Sequence, residues 1–532
     1  MHYAIVFVLL LGFVLGLGCL ARRLAIPYPI LFVIGGLFIG FIPDVPQLKL
    51  DPDFIFFIFL PPLLYHQALY TSWRDFRTEI RPILLLAIGL VVITTVSIAY
   101  FAHWMIPDFP TGAGRFPLAA GFVLGAIISP PDAIAAAAIA QRLGLPRRVV
   151  TILEGESLVN DATSLVIFQM ALAAILAPTA PIIGGVWHFG YFTYVAVGGI
   201  AVGVAVGWVI SHVRRHLMDD GPEIMLAVSL VTPFASYLAG DLIHVSGVLA
   251  VVCTGLYLSR HSPEVTNPVI RLQSRAVWEA IVYFLNGMVF VLIGLQLPGI
   301  LHAMREHWWP RPYLYAVAIT VACILIRLAW VFPGAWLHWR FNPGLRKKEA
   351  HPQWRQVFVV GWAGMRGVVS LAAALALNGH PEFPRSHLVQ FIAFGVILGT
   401  LVFQGLTLPV LIHWLGLSDD GSTLREECEA RRLMVGAILE KIDEARRDEK
   451  YPEDVLAEVE HFYREHSLAE HDDAPGHGER HHHFSHLRRL QHAMIATGRR
   501  TLSHLRHEDV IADDVLRKIE HELDLEEARL RI

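Results

Sequence analysis

Gly125-Ala126-Ile127-Ile128-Ser129-Pro130-Pro131-Asp132-Ala133 interrupts an otherwise apolar run over about 116–140. Two consecutive prolines remove two backbone donors and clash with the preceding turn, so a helix has to unwind there and free carbonyls. Asp132 stands at the break, where a carboxylate can cap the second half-helix and also face a cation. A second interruption, Gly361-Trp362-Ala363-Gly364-Met365-Arg366-Gly367-Val368-Val369-Ser370, pairs helix-loosening glycines with the permanent charge of Arg366. Irregular backbone of this kind survives inside a bilayer only where protein or a water-filled cavity covers it.

The composition says that a bilayer is the setting. Of 532 residues, 54% are hydrophobic and 17% charged, the mean hydropathy is +0.49, and the charge gathers toward the C-terminal end. Up to about residue 415 the chain repeats apolar spans of about 20 residues, the length that crosses about 30 Å of hydrocarbon. Thirteen are expected: about 3–21, 28–43, 53–70, 81–106, 116–140, 149–177, 190–212, 223–240, 242–260, 276–300, 312–337, 356–378 and 387–415. Loops after odd-numbered spans carry Arg22 and Arg23; Arg74 and Arg77; Arg142, Arg147 and Arg148; Arg214 and Arg215; Arg271 and Arg275; and a cluster from Arg340 to Arg355. Even-numbered ones carry only Lys49, Arg115, Arg305, Arg311 and Arg385.

The excess of basic residues marks the first set of loops as cytoplasmic, which puts the N-terminus outside and the C-terminal tail in the cytoplasm. The first apolar run lacks a basic segment before it and is expected to remain as a helix. Cys19, Cys253 and Cys323 fall in apolar spans and Cys428 in the tail, a distribution of small packing residues rather than a disulfide framework. The fold class is thus an all-α polytopic membrane domain, 1–417, followed by a charged, helix-favouring tail, 418–532. The broken spans lie seven helices apart and run in opposite senses, the sequence mark of inverted repeats whose discontinuous helices cross near mid-depth.

The sixth span contains Glu154-Gly155-Glu156-Ser157-Leu158-Val159-Asn160-Asp161-Ala162. Ionisable groups in the hydrocarbon are costly, so such a cluster signals an ion or proton path. Ser157, Asp161 and Ser164 recur at i, i+4 and i+7 on one helix face, with Glu156, Asn160 and Thr163 on the adjacent stripe. Hydroxyl and carboxylate oxygens are the ligands that a small hard cation prefers. A second buried carboxylate needs its own partner, and Arg366 is the expected one for Glu156. Polar glue between helices is the plainer reading, but two carboxylates and an amide in so few residues exceed what packing requires.

Elsewhere, Gly199, Gly203 and Gly207 form a small-residue stripe for close helix packing. Phe59-Leu60-Pro61-Pro62-Leu63-Leu64-Tyr65-His66-Gln67 brings a histidine to membrane depth, either as a hydrogen-bonding packing residue or as a titratable group near the path. Arg327 lies mid-span with no evident partner. In the tail, His477, His481, His482, His483, His486 and His492 read as a polar linker between helical stretches at Arg425–Lys450 and Val510–Leu530, with a metal-binding or pH-sensing role as the alternative.

Together these residues resemble the monovalent cation/proton antiporter-1 family, the bacterial sodium/proton antiporters and their exchanger relatives. The resemblance covers roughly 5–415. It rests on Phe59-Leu60-Pro61-Pro62, on Asp132 set ahead of Asp161, and on Gly155 through Asp161. Gly364-Met365-Arg366-Gly367 and Phe403-Gln404-Gly405-Leu406-Thr407 complete it. It implies no enzyme and no cofactor, but a secondary antiporter exchanging Na+ (or Li+ or K+) for H+, serving pH and sodium homeostasis. Asp161 resembles the carboxylate that holds cation and proton in turn. Ser157 and Asp132 resemble its companion ligands for Na+, and Glu156 with Arg366 resembles a structural ion pair. Asn160 stands where electrogenic relatives carry a second aspartate, which implies electroneutral one-for-one exchange.

The chain departs from the family at the break. Asp132 is preceded by Pro131 and followed by Ala133 where Asp-Pro after Thr is usual, so Ser129 and Pro131 become possible modulators. His66 is another, standing where relatives often carry an acid. The expected partners are membrane lipids, monovalent cations and a second copy in a homodimer, with no nucleic acid. The nearest rival is a K+/H+ or non-selective exchanger. A cation channel would need a re-entrant filter loop, and an intramembrane aspartyl protease would give Arg366 no role.

Overall fold

The computed structural model describes residues 2–24, 27–42, 56–107, 115–132, 136–137, 139–140, 143–176, 186–217, 221–265, 268–306, 311–341, 353–377, 383, 385–417, 422–448, 451–468, 494–498, 500–502, 519 and 523. The chain separates into two compact units, Met1–Asp419 and Asp420–Ile532. In chain order the first holds α1 (His2–Leu24), α2 (Tyr28–Gly40), α3 (Leu60–Tyr70), α4 (Trp73–Thr78), α5 (Ile80–Met105), α6 (Leu118–Ile128), α7 (Arg147–Leu176) and α8 (Val186–His216). Then come α9 (Pro222–Leu242), α10 (Gly247–Val265), α11 (Pro268–Glu306), α12 (Pro312–Phe341), α13 (Trp354–Trp362), α14 (Val368–Ala376) and α15 (Ser386–Leu415).

Seven of the described helices, α5, α7, α8, α9, α11, α12 and α15, are long and apolar enough to cross a membrane; α2 and α6 are shorter and also apolar. Their outward faces are apolar too: Phe38, Trp104, Val410 and Trp414 are all exposed. A helix apolar on every side is at home in hydrocarbon or in a protein core, not in water.

Local chemistry accounts for the shapes of individual elements. Pro61 and Pro62 do not kink α3 in its middle. They occupy its first turn, where a missing N–H costs nothing, after a turn at Phe59. The glycine stripe of α8 meets α10 closely enough that a Cβ on Gly199 would collide with the Ser246 carbonyl and one on Gly203 with that of Ala250. Thr254 Oγ1 then donates to the Gly203 carbonyl at 2.9 Å. Asp241 is exposed at the end of α9 and His244 takes a left-handed conformation in the turn beyond it.

The two expected breaks are present. α6 stops at Ile128, Ser129 to Asp132 are irregular, and helical residues resume by 136. α13 stops at Trp362, Ala363 to Gly367 are irregular, and α14 begins at Val368. Ala133 lies outside the described residues. In the second unit, α16 (Ser422–Arg447) and α17 (Glu453–Leu468) are fastened through Arg446, which bonds Asp443 at 2.8 Å, Glu453 at 2.9 Å and Glu460 at 2.8 Å. The histidine-rich stretch lies outside the described residues, as does nearly all of Val510–Leu530.

Candidate functional site

The two unwound segments touch. The Asp132 amide donates to the Met365 carbonyl at 2.7 Å, a backbone bond between residues far apart in sequence. The break after α6 leaves its last carbonyls without helical donors, and Arg366 takes one of these together with one from the unwound segment after α13. Its Nε donates to the Ile128 carbonyl at 2.9 Å and its Nη1 to the Gly364 carbonyl. A cation suits the negative C-terminal ends of α6 and α13. Thr400 steadies the arrangement from α15, accepting from the Arg366 amide at 3.1 Å and donating to the Val396 carbonyl at 2.8 Å. Thr400 also opens a π-helical turn that runs to Gln404.

Beside this crossing lies a cavity of about 30 Å³ lined by Asp132, Ser157, Asp161, Pro130, Gln67 and Ser370, with Leu60, Leu63, Leu64, Gly367, Val368 and Val369. It has room for one or two water-sized occupants. Its polar surface is oxygen-rich: two carboxylates, two hydroxyls and an amide. Val368 to Ser370 are the first turn of α14, so the positive end of that helix borders the two carboxylates. Ser157 and Asp161 come from α7, where both are buried.

Gly367 lies so close to Asp132 that a Cβ there would overlap the carboxyl group. Gly367→Ala is therefore expected to displace Asp132 and to remove most transport activity while expression holds, read as ion flux in vesicles against yield. Normal flux would contradict this geometry.

The expected residues divide between several roles. Asp132, Ser157 and Asp161 share the cavity. Asn160, fully buried, is not among its lining; its Nδ2 donates to the Pro131 carbonyl at 2.8 Å and ties α7 to the break. Pro131 thus contributes its carbonyl to that tie, and Ser129 donates to the Ala126 carbonyl at 3.0 Å, closing the end of α6. His66 lines a second, larger cavity of about 470 Å³ with Tyr28, Glu154, Thr151 and Asn286. Leu63 and Gln67 border both cavities, so the two adjoin.

One expectation needs correction. Glu156 is paired with Arg327, not with Arg366: Arg327 Nη1 reaches Oε1 at 2.5 Å and Nη2 reaches Oε2 at 2.7 Å. Both side chains are about 1% exposed. Arg327 also donates to the Val360 carbonyl, at 3.0 Å from Nη2 and 3.3 Å from Nε. The reason is geometric. Unwinding supplies Arg366 with carbonyls at its own level, while a guanidinium fork from α12 meets the Glu156 carboxylate in the bidentate arrangement that suits both. The mid-span Arg327 whose partner the sequence does not reveal is that fork. Ser370, buried in the cavity wall with no hydrogen-bond partner for Oγ among the described residues, is a lining group that the sequence reading passed over. A hydroxyl three residues past a glycine-rich break was the available signal.

The family model for the transmembrane sodium/hydrogen exchanger matches residues 6–414. A protein of Mycobacterium tuberculosis named as an uncharacterised Na+/H+ exchanger is 33% identical over 99% of this chain and 95% of its own length. The sodium, potassium, lithium and rubidium/H+ antiporter of Bacillus subtilis is 33% identical over 73% of this chain and 58% of its own length. Among solved structures, the sodium proton antiporter of Methanocaldococcus jannaschii superposes with a TM-score of 0.59 at 20% identity, covering 78% of this chain and 98% of that one, a likeness of fold. The chain belongs to the transmembrane sodium/hydrogen exchanger family and is a multi-pass membrane transporter, not an enzyme.

Proposed function

We propose that this transporter exchanges sodium for protons one for one, with the two ions competing for Asp161 under alternating access. The observation that carries the reading is the small cavity at the helix crossing, which Asp161, Asp132 and Ser157 line together and which has room for one or two water-sized occupants. Such oxygens are the ligands of a hard, dehydrated cation. A carboxylate open to one side at a time can hold a proton or a sodium ion but not both. Competition then couples the two flows without contact between them. Asn160 carries no titratable proton and is engaged with Pro131, so a turnover moves one charge in each direction. The adjoining cavity lined by His66, Gln67, Glu154 and Asn286 supplies a polar approach to the site. The basic loops support an external N-terminus and a cytoplasmic tail, and the charged, helix-favouring composition of that tail suits a regulatory or dimerising role.

A broader cation range is the second reading, favoured by the printed name of the Bacillus subtilis relative. Purified full-length protein in vesicles, given sodium, potassium or lithium gradients, tests both readings through internal pH. Proton movement driven by sodium, at a rate indifferent to a clamped membrane potential, is expected. A rate that follows the potential would exclude electroneutral exchange, and silence with every cation would exclude antiport.

A further inference from the structure

Away from the helix crossing, the ends of four helices enclose a cavity of about 520 Å³ lined by Leu69 and Tyr70 of α3, Arg214 of α8, Met225 and Ser229 of α9, and Ile270 to Leu272, Ser274 and Arg275 of α11. None of these residues borders the small cavity at Asp161. Three arginines line one space, and no carboxylate is among its described lining residues. Arg275 shares its charge with Glu279 at 2.9 Å along the same helix, in an exposed pair of the kind that contributes little.

Arg214 is the more telling group. It is 7% exposed, its Nη2 donates to the Tyr65 hydroxyl at 3.3 Å, and its buried Nε has no hydrogen-bond partner among the described residues. A buried charged donor left unmatched costs more than an exposed one and calls for an acceptor. The first turn of α11 opens on the same space. Its residues Ile270 and Arg271 follow Pro268 at the helix start, where backbone N–H groups lack helical acceptors and the dipole favours an anion. Ser229 adds a hydroxyl, although that oxygen already accepts from Trp278 Nε1 at 3.0 Å. Leu272, beside Arg271, is 67% exposed and offers an apolar rim at the mouth.

We propose that this cavity is a binding site for a phosphate-bearing anion, held by Arg214, Arg271 and the N-terminal turn of α11. The phosphate can come from an anionic lipid headgroup, whose acyl chains would lie along Leu272, or from free phosphate in solution. An arginine fork and a helix N-terminus both match the tetrahedral oxyanion. No group assigned to the cation takes part in the site.

The test uses purified full-length protein in a neutral detergent and reads thermal stability. One series receives phosphatidylglycerol against phosphatidylcholine, and the other receives inorganic phosphate against chloride at equal ionic strength. Saturable stabilisation by phosphatidylglycerol alone assigns the site to a lipid headgroup, and stabilisation by both assigns it to phosphate from either source. Arg271→Gln, which leaves the Arg214–Tyr65 bond in place, is expected to weaken the response on the order of tenfold through loss of one charge-assisted contact. Arg214→Gln is expected to weaken it at least as much. No stabilisation by either ligand, or an undiminished response in Arg271→Gln, would overturn the site. Neither outcome bears on sodium/proton exchange, which the vesicle assay reads separately.

Discussion

Asp161→Asn is expected to reduce exchange to the level of protein-free vesicles while the protein still folds and purifies. The change is nearly isosteric and removes the one titratable group of α7 that lines the small cavity. An amide cannot carry a proton in one half-cycle and neutralise a cation in the other, so coupling has no substitute. Asp161 is buried and the substitution keeps its size and shape, which is why folding should survive. Sodium-driven proton movement persisting in Asp161→Asn would remove that carboxylate from the mechanism.

Breaking the Glu156–Arg327 pair should act on stability instead. Both groups are almost fully buried and engaged in two mutual bonds. Removing one partner strands the other as an uncompensated charge, at a cost of about 3–5 kcal/mol. Glu156→Gln and Arg327→Met should each lower thermal stability and yield. The double variant Glu156→Leu with Arg327→Met should recover much of the loss, because an apolar pair of similar volume owes no desolvation penalty. A double-mutant cycle then separates the observed pairing from the one expected from sequence. Glu156 should couple strongly to Arg327 and weakly to Arg366. The reverse result would restore the Glu156–Arg366 pair.

That correction shows where sequence reading reaches its limit. The break at Pro130-Pro131 and the one at Gly364 to Gly367 were legible because proline and glycine act on their own backbone. The face bearing Ser157 and Asp161 was legible because helical periodicity is local. Thirteen hydrophobic spans were expected, but hydropathy measures apolarity and not continuity; α2 and α6 are short, and two spans are split by breaks. The partner of Arg327 lies 171 positions away in sequence, and no local pattern encodes which of two arginines meets Glu156. Three-dimensional packing decides it, through carbonyls freed at the crossing that satisfy Arg366 first. Asn160 illustrates the same limit, since its stripe on the helix was evident and its bond to the Pro131 carbonyl was not.

Competition of sodium and proton for one carboxylate is tested most directly by proton release on cation binding. Purified protein in weakly buffered detergent solution near neutral pH, titrated with sodium chloride against choline chloride, should release close to one proton per sodium ion bound. Asp161→Asn should release none. Sodium binding without proton release in the unmodified protein, or equal release from Asp161→Asn, would contradict the account.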